Sequence, residues 1–207
     1  MCNEYARLIA LAKLNAALAA KQLPLFEWAE NQIPNDLDGK DSVRISDTAP
    51  VFRFDGERLV ASMTPWAWKA PNGRPVFNYV TETRPGSSQI RNFTQSDRVL
   101  VLATGFYEFT APTDPKTKLK DKHLFTLKNQ DFFWIAGVVK EGAFTLLTTA
   151  PGPDLAPYHD RQVVILPPSD GLAWLTLSKP SQTLLRTLPE GSLAVTTLRR
   201  DGMDLAA

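Results

Sequence analysis

The stretch that decides the fold is residues 99–109, which read Val-Leu-Val-Leu-Ala-Thr-Gly-Phe-Tyr-Glu-Phe. β-branched and aromatic residues favour strands, and this stretch holds two such runs in succession. Eight further short apolar runs bounded by turn residues lie at 51–54, 59–63, 76–80, 123–127, 132–139, 144–148, 163–166 and 193–198. The 16 prolines fall almost entirely between the runs, which is typical of many short strands joined by rigid loops.

Helical patterns are confined to a few places outside these runs. Residues 5–21 carry Leu11, Leu14 and Leu18 at helical spacing and stop before Pro24. Shorter helices are predicted over 88–95, 168–175 and 180–187, and residues 31–41 are a loop by composition. We therefore predict one α+β domain over residues 1–200, with a strongly curved, mainly antiparallel, barrel-like β-sheet core, a few flanking helices and a frayed tail over 201–207.

The composition excludes several classes of protein. The chain has 207 residues, of which 43% are hydrophobic and 22% charged, as in an ordinary globular domain. One cysteine and two histidines cannot make an internal disulfide or a structural zinc site, so neither a metal nor a cofactor is predicted. No run of about 18 apolar residues is present, so no membrane span is predicted. A formal net charge of +1 means that any nucleic acid must be bound by a local basic patch.

The start of the chain indicates both a location and a chemistry. Charged residues interrupt the first 21 positions, so we expect no secretory signal and a location in the reducing cytoplasm. Removal of Met1 would leave Cys2 with a free α-amine and a thiol, whose unperturbed pKa values lie near 8 and about 8.5. Such a 1,2-aminothiol captures aldehydes as an imine that closes to a thiazolidine ring. The alternative is a cysteine that merely follows the initiator methionine.

Two residues are candidates for proton transfer. Strand alternation places Glu108 on the same face as Phe106. If that face lines a cleft, its aromatic walls raise the pKa of the carboxyl group, as a general acid/base requires; the alternative is a solvated edge strand. His159 has Asp160 and Arg161 beside it and suits proton transfer next to an anion-binding arginine, or a simple turn. His123 is interpreted as a strand-edge residue.

Other residues suggest a binding surface. Asn78 interrupts a strand, so it marks a bulge or supplies an amide for hydrogen bonding at a site. Trp66 and Trp68 are expected to share one face, either in the core or stacked on bases. A local phosphate-binding patch is also suggested by five basic residues within thirty positions: Lys69, Arg74, Arg84, Arg91 and Arg98.

Taken in order, these motifs resemble the SRAP family, the SOS response-associated peptidases or abasic-site processing proteins. The resemblance runs from Cys2 to about Trp174. It rests on Cys2 after Met1, the Trp66 segment, Asn78 with Glu82-Thr83, Gly105-Phe106-Tyr107-Glu108, Thr148-Thr149-Ala150, and His159-Asp160-Arg161 followed by Val164-Ile165-Leu166-Pro167.

The resemblance implies an abasic-site sensor of the DNA damage and SOS response. Cys2, exposed by removal of Met1 in a thiol autopeptidase (hydrolase) step, would form a protective thiazolidine DNA–protein crosslink with an abasic site in single-stranded DNA. Strand cleavage by β-elimination, a lyase activity, is also implied. The protein would be a monomer that is cytoplasmic, and nucleoid-associated when bound to DNA.

The resemblance also implies roles for individual residues. Asn78 would hold the Cys2 end and the opened sugar, Glu108 would shuttle protons, and His159 would assist proton transfer and bind the 3′ side of the lesion. Arg84 and Arg161 would contact phosphates, and Trp66 and Trp68 are the further DNA-binding candidates proposed above from their base-stacking rings.

The chain departs from the family pattern at Glu4 and Val80, where arginines are usual, and at Phe109, where tryptophan is usual. These changes bear on DNA affinity more than on the chemistry of Cys2.

Two other functions are compatible with parts of the sequence. One is an N-terminal nucleophile amidohydrolase, in which Cys2 attacks an amide with its own amine as base. That nucleophile normally opens a β-strand, whereas the residues after Cys2 have helical spacing, which argues against this function. The other is a noncatalytic single-strand DNA-binding module that uses the tryptophans and arginines.

Overall fold

The computed structural model describes residues 2–84 and 86–205, most of which form or connect short strands. In chain order, the elements are β1 (Glu4–Arg7), α1 (Leu11–Ala20), β2 (Phe26–Trp28), β3 (Lys40–Arg44), β4 (Thr48–Phe54), β5 (Leu59–Pro65), β6 (Trp68–Lys69), β7 (Pro75–Val76), β8 (Asn78–Val80), β9 (Arg98–Ala103), β10 (Gly105–Thr110), β11 (Asp121–Leu127), β12 (Phe133–Lys140), β13 (Ala143–Thr149), β14 (Gln162–Val163), β15 (Ile165–Leu166), α2 (Gly171–Thr176), α3 (Ser181–Leu184), β16 (Leu193–Arg200) and β17 (Met203–Asp204).

The strands form two large sheets and one small one. The first large sheet has the order β17-β16-β11-β10-β1-β3, and the second has the order β14-β13-β12-β9-β4-β5-β2 with β15 added to β12 and β8 added to β13. Most neighbours are antiparallel; β2 on β5 and β8 on β13 are parallel. The predicted single α+β domain with a curved, mainly antiparallel, barrel-like sheet and a few flanking helices is confirmed.

The apolar stretch at 99–103 is continuous because β9 is buried on both faces. Val99, Val101 and Ala103 face a core that also receives residues of the first sheet, so this core lies between the two sheets. Leu100 and Leu102 face the opposite core, which the three helices cover. Cys2 belongs to the core between the sheets, so the fold places the start of the chain inside the curved, barrel-like sheet.

The helix predicted over residues 5–21 is too long at its start. Only Leu11–Ala20 is helical, with Leu14 and Leu18 buried, whereas Glu4–Arg7 is the strand β1. Tyr5 lies opposite Phe106 on β10, so pairing with a distant strand overrides the local helical pattern. The helix predicted over 88–95 is wrong, since the described residues there form a single bridge between Ile90 and Glu82 and a short 3-10 turn at Gln95–Asp97. The helices predicted over 168–175 and 180–187 are present in shorter form, as Gly171–Thr176 and Ser181–Leu184.

Three further expectations need correction. Trp66 and Trp68 do not share a face, because Ala67 between them has a φ of 89° and sends the two rings into different cores. His123 is not at a strand edge: β11 lies between β10 and β16, and the imidazole is buried between the hydroxyl groups of Thr110 and Thr197. The tail is not frayed throughout, since Met203–Asp204 pairs with β16; residues 206 and 207 lie outside the described residues.

No helix among the described residues is long and apolar enough to cross a membrane.

Candidate active site

The thiol of Cys2 lies directly before β1, with only 1% of the residue exposed. Its Sγ donates a hydrogen bond to the carbonyl oxygen of Glu4 at 3.3 Å. Burial raises the pKa of the thiol far above its ordinary value, and the nearby Glu108 carboxylate raises it further. The resting thiol is therefore neutral, and a base would have to take its proton before it could act as a nucleophile.

Asn78 connects the start of the chain to the second sheet. It begins the three-residue strand β8, which lies parallel to β13 with Asn78 opposite Leu146. The side-chain Nδ2 donates to the carbonyl oxygen of Cys2 at 2.7 Å, across 76 positions of sequence. The Oδ1 atom is buried and has no hydrogen-bond partner among residues 2–84 and 86–205. Asn78 thus fixes the main chain at Cys2 and keeps one acceptor for a ligand hydroxyl or amine.

Glu108 supplies a carboxyl group that is protonated about half of the time near neutral pH. It sits in the middle of β10 and is 2% exposed. Burial raises its pKa to about 7; the charge of Asp160 acts in the same direction, and that of Lys120 in the opposite one. A group of this pKa serves as both acid and base at physiological pH. The prediction that the Glu108 face lines a cleft, with a raised pKa, is confirmed.

His159 faces Glu108, with 3.9 Å between Nε2 and the carboxylate Oε2. Its Nδ1 accepts a hydrogen bond from the backbone N–H of Arg161 at 3.0 Å and lies 2.8 Å from Oδ1 of Asp160. If Nδ1 accepts the hydrogen bond from Arg161, it carries no proton. If it donates to Asp160 instead, it must carry one. Burial lowers the pKa of His159, and the Asp160 side chain is 88% exposed, so we assign the neutral form with the proton on Nε2, facing Glu108.

The site opens into a cleft of about 460 Å³. Besides Glu108 and His159, its walls are Asn3, Phe109, Lys118, Leu119, Lys120 and Arg199. Sequence reasoning missed the three basic residues. The lysine-rich composition of residues 116–120 indicates a positively charged loop, but it does not indicate where the loop lies. The pairing of β10 with β11 shows that the loop returns to Glu108.

Arg161, predicted to contact phosphate, is occupied by protein groups. Its guanidinium makes two bonds to Glu82, at 3.0 and 2.8 Å, and a third to the carbonyl oxygen of Thr148 at 2.8 Å. Burial acts to raise the pKa of Glu82, but the hydrogen bonds and positive charge of Arg161, together with backbone N–H donors that include Ala150, hold that pKa below its ordinary value. This ion pair positions the loop that carries His159.

The structure does not bring the two tryptophans to the site. Trp66 is fully buried, and its indole N–H donates to the carbonyl oxygen of Phe77 at 2.9 Å. Trp68 is 8% exposed and lines a separate groove of about 1060 Å³ with Tyr79 and Arg91. Trp66 is therefore a core residue and does not stack on bases. DNA contact by Trp68 and by the exposed Arg84 stays a prediction.

Glu4 does not face the cleft. Its carboxylate accepts hydrogen bonds from Lys122 at 2.7 Å and from Ser42 at 2.8 Å, while Lys122 also lies over the ring of Tyr107. Since Tyr107 and Glu108 point to opposite faces of β10, Glu4 lies behind the sheet and its charge is balanced there. At a second departure from the family pattern, Val80 is 38% exposed.

The four residues predicted to be catalytic therefore form one connected group. Asn78 binds Cys2, the Cys2 thiol lies within the field of Glu108, and Glu108 faces His159. A thiol, a carboxyl group of near-neutral pKa and a neutral imidazole are the components of nucleophilic catalysis assisted by acid and base. No group of three or more His, Cys, Asp or Glu side chains within the described ranges could hold a metal ion.

Comparison with known families agrees with this class of site. The model of the SOS response associated peptidase (SRAP) family matches residues 1–201, so the chain belongs to that family. The resemblance stated from the motifs is confirmed.

Among curated proteins, the chain is similar to the abasic site processing protein YoqW of Bacillus subtilis (strain 168). It is 30% identical over 133 residues, 60% of this chain and 58% of that protein. The abasic site processing protein YoaM of the same organism is 29% identical over 133 residues, 60% of this chain and 57% of that protein. The match thus spans less than two thirds of these relatives.

Among solved structures, a protein from Bacteroides thetaiotaomicron superposes with a TM-score of 0.67 at 17% identity, covering 97% of this chain and 93% of that one. A phage-related protein from Bordetella bronchiseptica gives a TM-score of 0.65 at 19% identity, covering 96% and 95%. These likenesses show the fold alone.

Proposed function

We propose that this protein processes abasic sites in single-stranded DNA by forming a thiazolidine crosslink through Cys2 after Met1 is removed. The observation that carries the proposal is the Cys2 main chain, held by Asn78 next to a carboxyl group with a pKa of about 7. Membership of the SRAP family and the name abasic site processing protein borne by its relatives support the same substrate.

The chemistry needs an acid and a base in succession. The α-amine of Cys2 adds to the C1′ aldehyde of the opened deoxyribose and gives a carbinolamine. Protonated Glu108 donates a proton to the departing hydroxyl group, water leaves, and a protonated imine (iminium ion) forms. The ionised carboxylate then takes the thiol proton, sulfur bonds to the iminium carbon, and the C=N electron pair returns to nitrogen, which keeps its hydrogen. One water is lost overall, and Glu108 returns to its starting state.

The geometry supports these roles for the groups. The thiol has a strongly raised pKa, so a neighbouring base is required, and the same burial that raises the pKa of Glu108 gives it the needed basicity. Neutral His159 can donate from Nε2 toward the carboxylate and stabilise its ionised form. Single-stranded DNA is the fitting substrate because unstacking a nucleotide from a duplex costs a few kcal/mol.

Two further activities follow from the same groups as part of this proposal. Removal of Met1 is a hydrolysis of the Met1–Cys2 peptide bond in which the Cys2 thiol serves as the nucleophile. From the imine, withdrawal of a C2′ proton by a base expels the 3′ phosphate, which is β-elimination and cleaves the strand. Monomeric state and cytoplasmic location stay predictions.

The test is a crosslinking assay with single-stranded DNA that carries one abasic site. We expect a covalent band on a denaturing gel, with the mass of the chain lacking Met1 plus the DNA minus one water. Cys2→Ala should abolish the band, and Glu108→Gln should slow its formation by roughly 10²-fold or more. Glu57→Gln, which changes an exposed carboxylate in a distant turn, is the matched control and should react at the wild-type rate. An equal band from Cys2→Ala refutes the mechanism.

A second candidate is favoured by one observation. Cys2 is followed by the strand β1 and not by a helix, so the sequence argument against an N-terminal nucleophile amidohydrolase is wrong. Such an enzyme would use the thiol of Cys2 on an amide substrate. Turnover of glutamine or an acyl amide, without any crosslink to abasic DNA, would establish it. A noncatalytic DNA-binding module predicts instead that Cys2→Ala retains DNA and that salt alone releases it.

A further inference from the structure

The cleft beside Glu108 and His159 carries an excess of positive charge on one wall. Lys118, Lys120 and Arg199 line it, and the carboxyl group of Glu108 is the single acidic side chain among its described lining residues. That carboxyl group is partly protonated at neutral pH. The cleft is therefore built for an anionic ligand.

The two lysines are exposed, and neither makes an ion pair with a described residue. Other cations near the site are already paired, since Arg161 binds Glu82, Lys122 binds Glu4 and Arg199 lies 4.0 Å from Asp204. The charges that remain available to a ligand here therefore come from the loop between β10 and β11.

The loop is held in shape by the hairpin at the end of the chain. Arg199 on β16 donates from Nε to the carbonyl oxygen of Lys120 at 2.9 Å. At the other end, the backbone N–H of Asp114 donates to Asp201 at 2.8 Å, and that of Thr117 donates to the Asp114 carbonyl oxygen at 3.0 Å. Because its backbone is anchored at both ends, the loop presents its lysines to the cleft without a large ordering cost.

Leu119 lies between the two lysines and is 50% exposed, although it lines the cleft. An exposed apolar side chain between two cations matches the alternation of phosphates with sugars and bases along a single strand. The ammonium group of Lys120 also lies close enough to the catalytic pair to lower the pKa of both Glu108 and His159.

We propose that residues 116–120 form a DNA-binding arm in which Lys118 and Lys120 each bind a phosphodiester next to the lesion and Leu119 packs on the neighbouring sugar or base. This inference rests on the proposed function, because it takes abasic single-stranded DNA as the ligand. It assigns the electrostatic part of binding to this loop and not to Arg161.

The test measures noncovalent binding of a single strand with a tetrahydrofuran abasic analogue, which has no aldehyde and cannot crosslink. Fluorescence anisotropy gives the dissociation constant between about 50 and about 200 mM salt, and each phosphate contact contributes roughly 0.7 to the slope of log K against log salt for single strands. We expect the double variant Lys118→Gln/Lys120→Gln to lose about 1.4 from that slope. Leu119→Ser should weaken binding with the slope unchanged.

The matched control is Lys13→Gln/Lys128→Gln, which removes the same charge from exposed positions on α1 and at the β11–β12 turn. Its slope should equal that of the wild type. A wild-type slope in the loop variant, or an equal loss in the control, overturns the inference.

The outcome is separable from that of the proposed function. If the wild-type protein forms no crosslink with aldehyde-bearing DNA, the proposed function fails whatever the slopes. If the crosslink forms and the loop variant keeps the wild-type slope, the assignment of the loop alone fails.

Discussion

The buried carboxyl group of Glu108 should make the folded protein less stable as the pH rises. Its pKa is about 7 in the folded state, against an ordinary value of 4.5. Between these values the unfolded chain has released the proton while the folded chain retains it, so the free energy of unfolding falls with increasing pH. The loss is complete above pH 7 and amounts to roughly 3 kcal/mol.

Glu108→Gln removes this loss because an amide cannot ionise. Relative to the wild type, the variant should gain roughly 3 kcal/mol between about pH 4.5 and about pH 8.5, which for a domain of this size is on the order of 6–12 °C in melting temperature. The assay is a series of thermal and urea melts of both proteins, followed by circular dichroism, with Glu57→Gln as the control for removal of an exposed carboxylate. Parallel stability curves for Glu108→Gln and the wild type would refute the assigned burial and pKa.

Three other substitutions test the packing and the charges. Arg98→Met should cost about 3 to 5 kcal/mol in urea unfolding, since the buried guanidinium serves two main-chain carbonyl groups and one hydroxyl; an unchanged midpoint would mean that these bonds contribute nothing. Gly171→Ala should lower the melting temperature by an amount equivalent to about 1–3 kcal/mol, because its Cβ would lie 2.6 Å from Trp134; an unchanged melt would show that the ring moves freely. Glu82→Gln should cost about 1–3 kcal/mol because it removes the negative charge and one of the two oxygens that accept hydrogen bonds from Arg161, and stability equal to the wild type would contradict a structural role for the pair.

Most of the strands could be predicted from the sequence because their signal is local. Residues 99–103 are apolar at every position since both faces of β9 are buried, and no helix of that composition would end so soon at Thr104-Gly105. The strand β1 could not be predicted in this way. Its four residues carry no alternation, and their conformation depends on the pairing of Tyr5 with Phe106, a hundred positions away. Tertiary context decides such segments.

The residues of the candidate site also differ in whether their role could be predicted from local sequence. Cys2, Asn78, Glu108 and His159 could be found because each is chemically unusual in its own segment. The contacts of Arg161 and Trp66 could not be predicted from their own segments. Whether these side chains contact a ligand or the protein itself depends on a carboxylate, for Arg161, and on a core, for Trp66, that distant segments supply. The lysines at 118 and 120 were missed for the complementary reason: nothing in the loop itself indicates that it returns to the cleft.

The burial of Cys2 has a consequence for the chemical lifetime of the protein. Oxidants and alkylating agents attack exposed thiolates, and in the resting structure this sulfur is protonated, enclosed and donating its hydrogen to a main-chain oxygen. Peroxide or iodoacetamide should therefore modify the folded protein slowly. Under the proposed function, this arrangement would preserve the Cys2 thiol until the protein meets an abasic site, including under the oxidative conditions that damage DNA.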